Sequence, residues 1–146
     1  MFILDTNVIS ELRRAGQGKA SENVVQWAKS VDASSLYISV ITVLEIETGI
    51  LKIERHDANQ ATILRNWFEG HVLKAFENRI LPIEEAVARR CAQLHVPDPK
   101  SERDALIAAT ALVHGMTVVT RNLADFDLTG AKLLNPWQSD KSELYS

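Results

Sequence analysis

The chain is poor in the residues that staple, span or cradle. It has a single cysteine, Cys91, in 146 residues. A lone thiol cannot close an internal disulfide, so a reducing, cytoplasmic setting is expected. No Cys/His cluster has the spacing of structural zinc, and His56, His71, His95 and His114 are scattered along the chain. With six glycines and no Gly-rich phosphate loop, P-loop and dinucleotide chemistry are disfavoured. No run approaches the roughly 18 apolar residues of a membrane span. The opening Met-Phe-Ile-Leu-Asp carries its charge too early for a signal peptide, with no basic residue before it. No membrane partner is expected. An excess of positive charge is also missing. The formal net charge of −3 argues against indiscriminate binding to nucleic acid, but leaves room for an enzyme whose bound cation supplies positive charge locally.

What is present is ordinary globular composition, 46% apolar and 24% charged, at a length that suits one domain. The expected unit is residues 1–138, followed by a polar tail over 139–146. Apolar β-rich runs alternate with helical patterns. Phe2-Ile3-Leu4 reads as a strand, with a short helix from Thr6 to Leu12. Ser21 caps a helix through Ala28, and Leu36 to Val40 is a second strand. Thr42 opens a helix with Val43, Ile46, Ile50 and Ile53 on one face. One long amphipathic helix is expected from Asp57 to Phe76, then a short strand at Arg79-Ile80-Leu81. Another helix runs to about His95, where Pro97 and Pro99 end it. Ser101 to Asp104 has the form of a capping box opening an almost wholly apolar helix, stopped by Gly115. Thr117 to Thr120 and Lys132 to Leu134 are the last strands. Strand–helix alternation of this kind implies an α/β fold with a mainly parallel sheet covered by helices on both faces.

In such sheets ligands bind beyond the carboxyl ends of the strands. Asp5 ends the first strand, Glu45 lies in the first turns after the second, Asp104 starts the apolar helix and Asp125 follows the Thr117–Thr120 strand. Each has an ordinary reading alone: a helix cap, a solvated charge, a capping-box member, a turn former. Together they converge on one edge. Clustered carboxylates repel, and burial makes each charge costlier, so a fold keeps such a group where a cation occupies it. Mg²⁺ and Mn²⁺ prefer oxygen ligands and also bind phosphate, which suits phosphodiester hydrolysis without a histidine. Periodicity alone does not choose between Glu45 and Glu47.

Four segments carry a resemblance. They are Ile3-Leu4-Asp5-Thr6-Asn7, then Ser39 to Ile46 with Gly49, then Arg103-Asp104-Ala105 to Ala111, then Thr120-Arg121-Asn122-Leu123-Ala124-Asp125-Phe126. Asn135-Pro136-Trp137 adds an ending. In that order, and across almost the whole chain, they resemble the PIN-domain ribonucleases, specifically the VapC-type toxins of bacterial toxin–antitoxin pairs. The resemblance implies a three-layer PIN-like fold. It implies Asp5, Glu45, Asp104 and Asp125 as the acids that hold Mg²⁺ or Mn²⁺, choosing Glu45 over Glu47. It implies Thr6, Asn7, Thr120 and Asn122 as groups that orient ligands or waters. The implied activity is metal-dependent cleavage of RNA, a structured cellular RNA such as tRNA being the expected substrate class, with 5′-phosphate and 3′-hydroxyl ends. The implied partner is a small cognate antitoxin of VapB type.

The simplest inhibitor of an acidic site is an arginine on a flexible arm, which can pair bidentately with two carboxylates. A homodimer is expected as the commonest symmetric arrangement. Arg13 and Arg14 are candidates for gripping phosphate, although adjacent arginines are more often plain solvated surface. Cys91 reads as a packing residue. Two other functions compete. An acidic-pocket phosphatase or phospho-acceptor needs a second acid beside the first, which Thr6-Asn7 does not supply. A non-catalytic interaction module with a relic site would bind no metal.

Overall fold

The computed structural model describes residues 1–138; the expected tail over 139–146 lies outside the described residues. Five short strands form one sheet in the order β3-β2-β1-β4-β5. They are β1 (Phe2–Leu4), β2 (Leu36–Ser39), β3 (Ile80–Leu81), β4 (Thr117–Val119) and β5 (Lys132–Leu134). Every pairing is parallel, with Phe2 opposite both Leu36 and Thr117, Ile38 opposite Ile80, and Thr117 opposite Lys132. Parallel neighbours need crossover connections. The chain supplies helices for them: α1 (Thr6–Ala15), α2 (Glu22–Ser30), α3 (Val40–Glu54), α4 (Ala58–Trp67), α5 (Leu73–Ala75), α6 (Glu85–Leu94) and α7 (Glu102–His114).

The sheet divides the core in two because successive strand residues face opposite ways. Ile3 and Val118 pack with Val87, Cys91, Ile107 and Ala108 of α6 and α7. Their neighbours Leu4 and Val119 pack on the other face with Val8, Ile46, Ile50 and Phe68. This is the expected three-layer α/β arrangement. Both faces of β1 and β4 are dry, which is why these strands read as continuous apolar runs rather than alternating ones. No helix of the described residues is long and apolar enough to cross a membrane.

Several boundaries differ from the sequence expectations. Helix α1 continues to Ala15. Helix α3 begins at Val40 rather than Thr42, because Ser39 Oγ accepts from Ile41 N at 3.0 Å and caps it there. The single long helix from Asp57 is interrupted: α4 passes into a π-helical turn, Phe68–Val72, before α5. The wide turn keeps Phe68, Val72 and Phe76 buried in succession. Ser101 precedes α7, but its side chain makes no capping hydrogen bond. The capping box is therefore not formed. Gly115 closes α7 at φ 66°, the left-handed conformation that favours glycine.

Candidate functional site

The four acids come from four different elements at the carboxyl edge of the sheet. Asp5 follows β1 and caps α1, accepting from Thr6 N at 2.8 Å. Its other oxygen accepts from Thr120 Oγ1 at 2.8 Å and Asn7 Nδ2 at 3.2 Å. Asp5 is buried. Thr120, at the end of β4, is fully buried and also accepts from Asn122 N at 3.0 Å. Asn7 Oδ1 in turn accepts from Arg121 N at 3.3 Å. The hydrogen bond that Asn122 makes here is through its main chain.

Glu45 sits in the second turn of α3 and accepts from Thr6 Oγ1 at 2.9 Å. Thr6 Oγ1 also lies 3.2 Å from Thr42 Oγ1. A hydroxyl has one proton to give. It goes to the carboxylate, which can only accept, so Thr42 donates to Thr6. Arg103 Nη1 lies 3.9 Å from Glu45 Oε2. Glu47 is engaged elsewhere: Arg65 of α4 holds it at 2.6 Å and 2.7 Å, and that guanidinium draws its pKa below the ordinary range. Sequence periodicity left these two glutamates equivalent, and the packing of α4 on α3 separates them.

Asp104 opens α7 and Asp125 stands in the 3₁₀ turn Leu123–Phe126 after β4. Burial raises the Asp5 carboxyl, its three hydrogen bonds pull the other way, and the charge of Asp125 adds to the rise. Burial also raises Asp104, followed by the charges of Asp5 and Asp125; the Ser101 side chain pulls the other way, and Glu45 adds a smaller share. Asp104 therefore lies within electrostatic reach of the other three acids, and Asp5 within reach of Asp125. Among the described residues no lysine, arginine or histidine pairs with Asp5, Asp104 or Asp125. An all-oxygen, net negative donor set with neutral groups orienting it fits Mg²⁺ or Mn²⁺. The acids stand apart: no three of them bring ligand oxygens mutually within 4.8 Å among the described residues. Ions that keep several of their own waters suit that spacing.

Arg13 and Arg14 are not brought to this cluster. They end α1, while Asp5 caps its start, a separation of about 12 Å along the helix axis. Arg13 lies over the Trp67 ring at 5.7 Å, and Arg14 faces Glu11 at 4.0 Å. Two residues that do reach the site went unread. Thr42 lies one helical turn before Glu45, a spacing that puts both on one face, and Arg103 is the neighbour of Asp104.

A second group has the composition of a metal site. Cys91 Sγ, His95 Nε2 and a Glu102 carboxylate oxygen all lie within 4.8 Å of one another, where α6 meets α7. The histidine decides against a metal. Lys100 N donates to His95 Nδ1 at 3.0 Å, so Nδ1 carries the lone pair and the ring proton stands on Nε2. Nε2 faces Cys91 Sγ at 3.7 Å and Glu102 Oε2 at 3.4 Å. A metal there would need a lone pair on Nε2 and the ring proton on Nδ1 instead. Burial and the Glu102 charge push the Cys91 thiol up, so it keeps its proton. The group is a hydrogen-bonded clasp on the α6–α7 connection, and Cys91 packs in the core as its sequence context suggested.

Comparison with known proteins agrees with the fold. The PIN domain profile matches residues 2–131. VapC ribonuclease Y4jK of Sinorhizobium fredii is 37% identical over 143 residues, covering 94% of this chain and 99% of that protein. Toxin FitB of Neisseria gonorrhoeae is 36% identical over 143 residues, covering 94% and 99%. The structure of FitAB bound to an IR36 DNA fragment superposes with a TM-score of 0.85 at 35% identity, covering 96% of this chain and 98% of the other. A parallel sheet in this strand order, acids on its carboxyl edge and near full-length similarity to these toxins place the chain in the PIN-domain family.

Proposed function

We propose that this protein is a metal-dependent endoribonuclease and the toxin of a toxin–antitoxin pair. It hydrolyses phosphodiester bonds of RNA, with Mg²⁺ or Mn²⁺ held by Asp5, Glu45, Asp104 and Asp125. The observation that carries this reading is the carboxylate of Asp5, raised first by its burial and then by the charge of Asp125, and bonded only to neutral donors. Such a group calls for an external cation. The ion, when bound, would supply Lewis acidity and a more acidic water. The chain's residues orient the acids. Thr120 and Asn7 fix one oxygen of Asp5 and the backbone of Thr6 fixes the other, while the Thr6 side chain sets Glu45. Arg103, half exposed beside Glu45, is placed to meet a phosphate.

The VapC ribonuclease among the relatives supports RNA as the substrate, the FitB toxin supports a toxin role, and a structured RNA such as tRNA is the class we assign. The FitAB complex supports a small antitoxin partner. An apolar groove of about 160 Å³ between α1 and the α4–α5 segment, lined by Ile9, Leu12, Trp67, Val72 and Phe76, suits an amphipathic antitoxin segment. An arginine carried by that segment would neutralise the acids. We assign a homodimer and a cytoplasmic location to the toxin. Incubating total cellular RNA with the protein and Mg²⁺, then mapping the ends, tests the reading. Discrete cuts with 5′-phosphate ends, absent in excess chelator and absent with Asp5→Asn, are expected. Undiminished cutting in chelator would remove the metal from the mechanism.

A further inference from the structure

We propose that the cavity between α2 and the chain leaving β5 is a nucleobase subsite, seating one unpaired base of an RNA strand whose backbone crosses the acid cluster. The inference rests on the nuclease reading and adds to it a site for base recognition. The cavity measures about 340 Å³ and is walled by Asn23, Gln26, Trp27, Asn135, Pro136 and Gln138, with Ser30 and Leu134 completing it. That size falls at the lower end of small-ligand pockets, roughly 300–1,000 Å³.

The lining chemistry selects the ligand. Among the described residues it carries no charged side chain, so nothing in it counters a phosphate or an ion. It offers carboxamides and an indole. Carboxamides pair with the donor and acceptor edges of bases, and aromatic rings stack on base faces. The indole is held in place: Phe2 meets Trp27 edge-on, with ring centroids 5.3 Å apart. The wall is fixed as well. Asn135 Oδ1 accepts from Trp137 N at 2.9 Å while its Nδ2 donates to Arg121 O at 3.5 Å. Asn23 Nδ2 donates to Trp137 O at 2.8 Å. Gln26 is different. It is exposed on α2 and forms no side-chain hydrogen bond within the described residues, so its amide is open to a base edge.

The cavity is tied to the acids. Asn135 bonds Arg121, Arg121 N bonds Asn7, and Asn7 bonds Asp5. Leu134 ends β5, two strands from β1, a lateral offset of roughly 10 Å. An extended RNA strand spans that offset. Arg121 stands between, its guanidinium over the Trp137 ring at 5.3 Å, where it can take the phosphate that links the seated base to the cut site.

The test uses the full chain in excess chelator, so that nothing is cut, with labelled single-stranded RNA hexamers of each base followed by fluorescence anisotropy. The wild type should rank the four hexamers. Gln26→Ala should weaken the preferred hexamer about tenfold and flatten the ranking, leaving the salt dependence unchanged, because a base contact releases no counterions. Arg121→Ala should weaken all four alike and reduce the salt slope by about one. Equal binding of all four hexamers, no binding, or a ranking untouched by Gln26→Ala each overturns the subsite. If Gln26→Ala instead abolishes capture of the co-expressed antitoxin and leaves hexamers alone, the cavity belongs to a protein partner and the proposal is wrong. The nuclease reading is judged separately, by cleavage with Mn²⁺. Cleavage with an unaffected ranking removes only the subsite, and a collapsed ranking without any cleavage removes only the nuclease.

Discussion

The acid cluster and the Cys91–His95–Glu102 clasp each hold several metal-ligand side chains, and they show that closeness and readiness are different properties. The clasp is the tighter group, its sulfur, nitrogen and oxygen within 4.8 Å of one another. Its protons are in the wrong places: Lys100 occupies the His95 lone pair, and the thiol is held protonated by burial and Glu102. The acids are looser, but their partners all donate. Thr6, Asn7 and Thr120 leave the carboxylates oriented and charged-form compatible without neutralising them. Protonation state and supporting hydrogen bonds, more than distance, mark the site that suits a hard cation.

The largest expected effect breaks the comparison on the acid side. Asp5→Asn, Asp104→Asn and Asp125→Asn should each lower single-turnover RNA cleavage by about two orders of magnitude or more, since each would remove a proposed ligand charge that no neighbour replaces. Asparagine keeps the cap at position 5, because it accepts from Thr6 N as aspartate does. The far-ultraviolet circular dichroism of Asp5→Asn should therefore match wild type. Variants that retain wild-type rates would show the acids to be bystanders.

Next in size is an effect on orientation alone. Thr120→Val keeps shape but deletes the hydroxyl that donates to Asp5 and accepts from Asn122. Loss of such a supporting group costs about 10–100-fold in metal affinity or activity. Titration with Mn²⁺, followed by electron paramagnetic resonance, should show the weaker binding directly. Unchanged Mn²⁺ affinity in this variant would mean that Thr120 serves packing only.

The strands were legible in the sequence because burial on both faces leaves short apolar runs, such as Phe2-Ile3-Leu4 before Asp5 and Val118-Val119 before Thr120, whereas the choice of the four acids rested on a family resemblance. Other features depend on partners that local pattern cannot contain. The choice between Glu45 and Glu47 is made in space by Arg65, which sits on a different helix. The π-helical turn at Phe68 follows from fitting three aromatic and aliphatic side chains to one core face. The capping box at Ser101 had the right letters, but its N-cap hydrogen bond did not form, and Asp104 is raised by burial first and then by the charges of Asp5 and Asp125. Arg13 and Arg14 looked close to the site because they are close in sequence, yet a helix of ten residues carries them to its far end.

A smaller effect appears in stability without metal. Asp5 and Asp104 have carboxyl pKa values above the ordinary 3.8. A carboxyl whose pKa is higher in the folded chain takes up a proton on folding. Its favourable contribution is complete below the unfolded value and is lost as pH rises through the raised folded value. The chelated wild type should therefore lose stability through this site between acid and neutral pH. Asp5→Asn, freed of that charge, should melt at the same temperature or a few degrees higher at pH 7, and the difference should shrink on acidification. It should also gain less from added Mg²⁺. A clearly lower melting temperature for chelated Asp5→Asn would contradict the account.

The smallest expected effect is on the other side of the comparison, and it is informative because it is near zero. His95→Gln removes the imidazole from the clasp but leaves a side-chain carbonyl able to accept from Lys100 N, and Cys91→Ser removes the sulfur. If the clasp were a metal site, either change would lower the affinity for Zn²⁺ or Co²⁺ and, with Co²⁺, abolish a sulfur-to-metal charge-transfer band. With Nδ1 occupied by the Lys100 amide, the wild type should show no such band, and neither variant should alter the Mn²⁺ titration of the acids. What His95→Gln should change is local: at most a small change in amide exchange at Lys100, with cleavage within about twofold of wild type, because the clasp ties α6 to the first residue of α7 and acts on the acids only through the start of that helix. The two groups then separate cleanly. A Co²⁺–thiolate band in the wild type, lost in Cys91→Ser, would reverse the assignment and show that the Lys100 amide yields His95 to a metal.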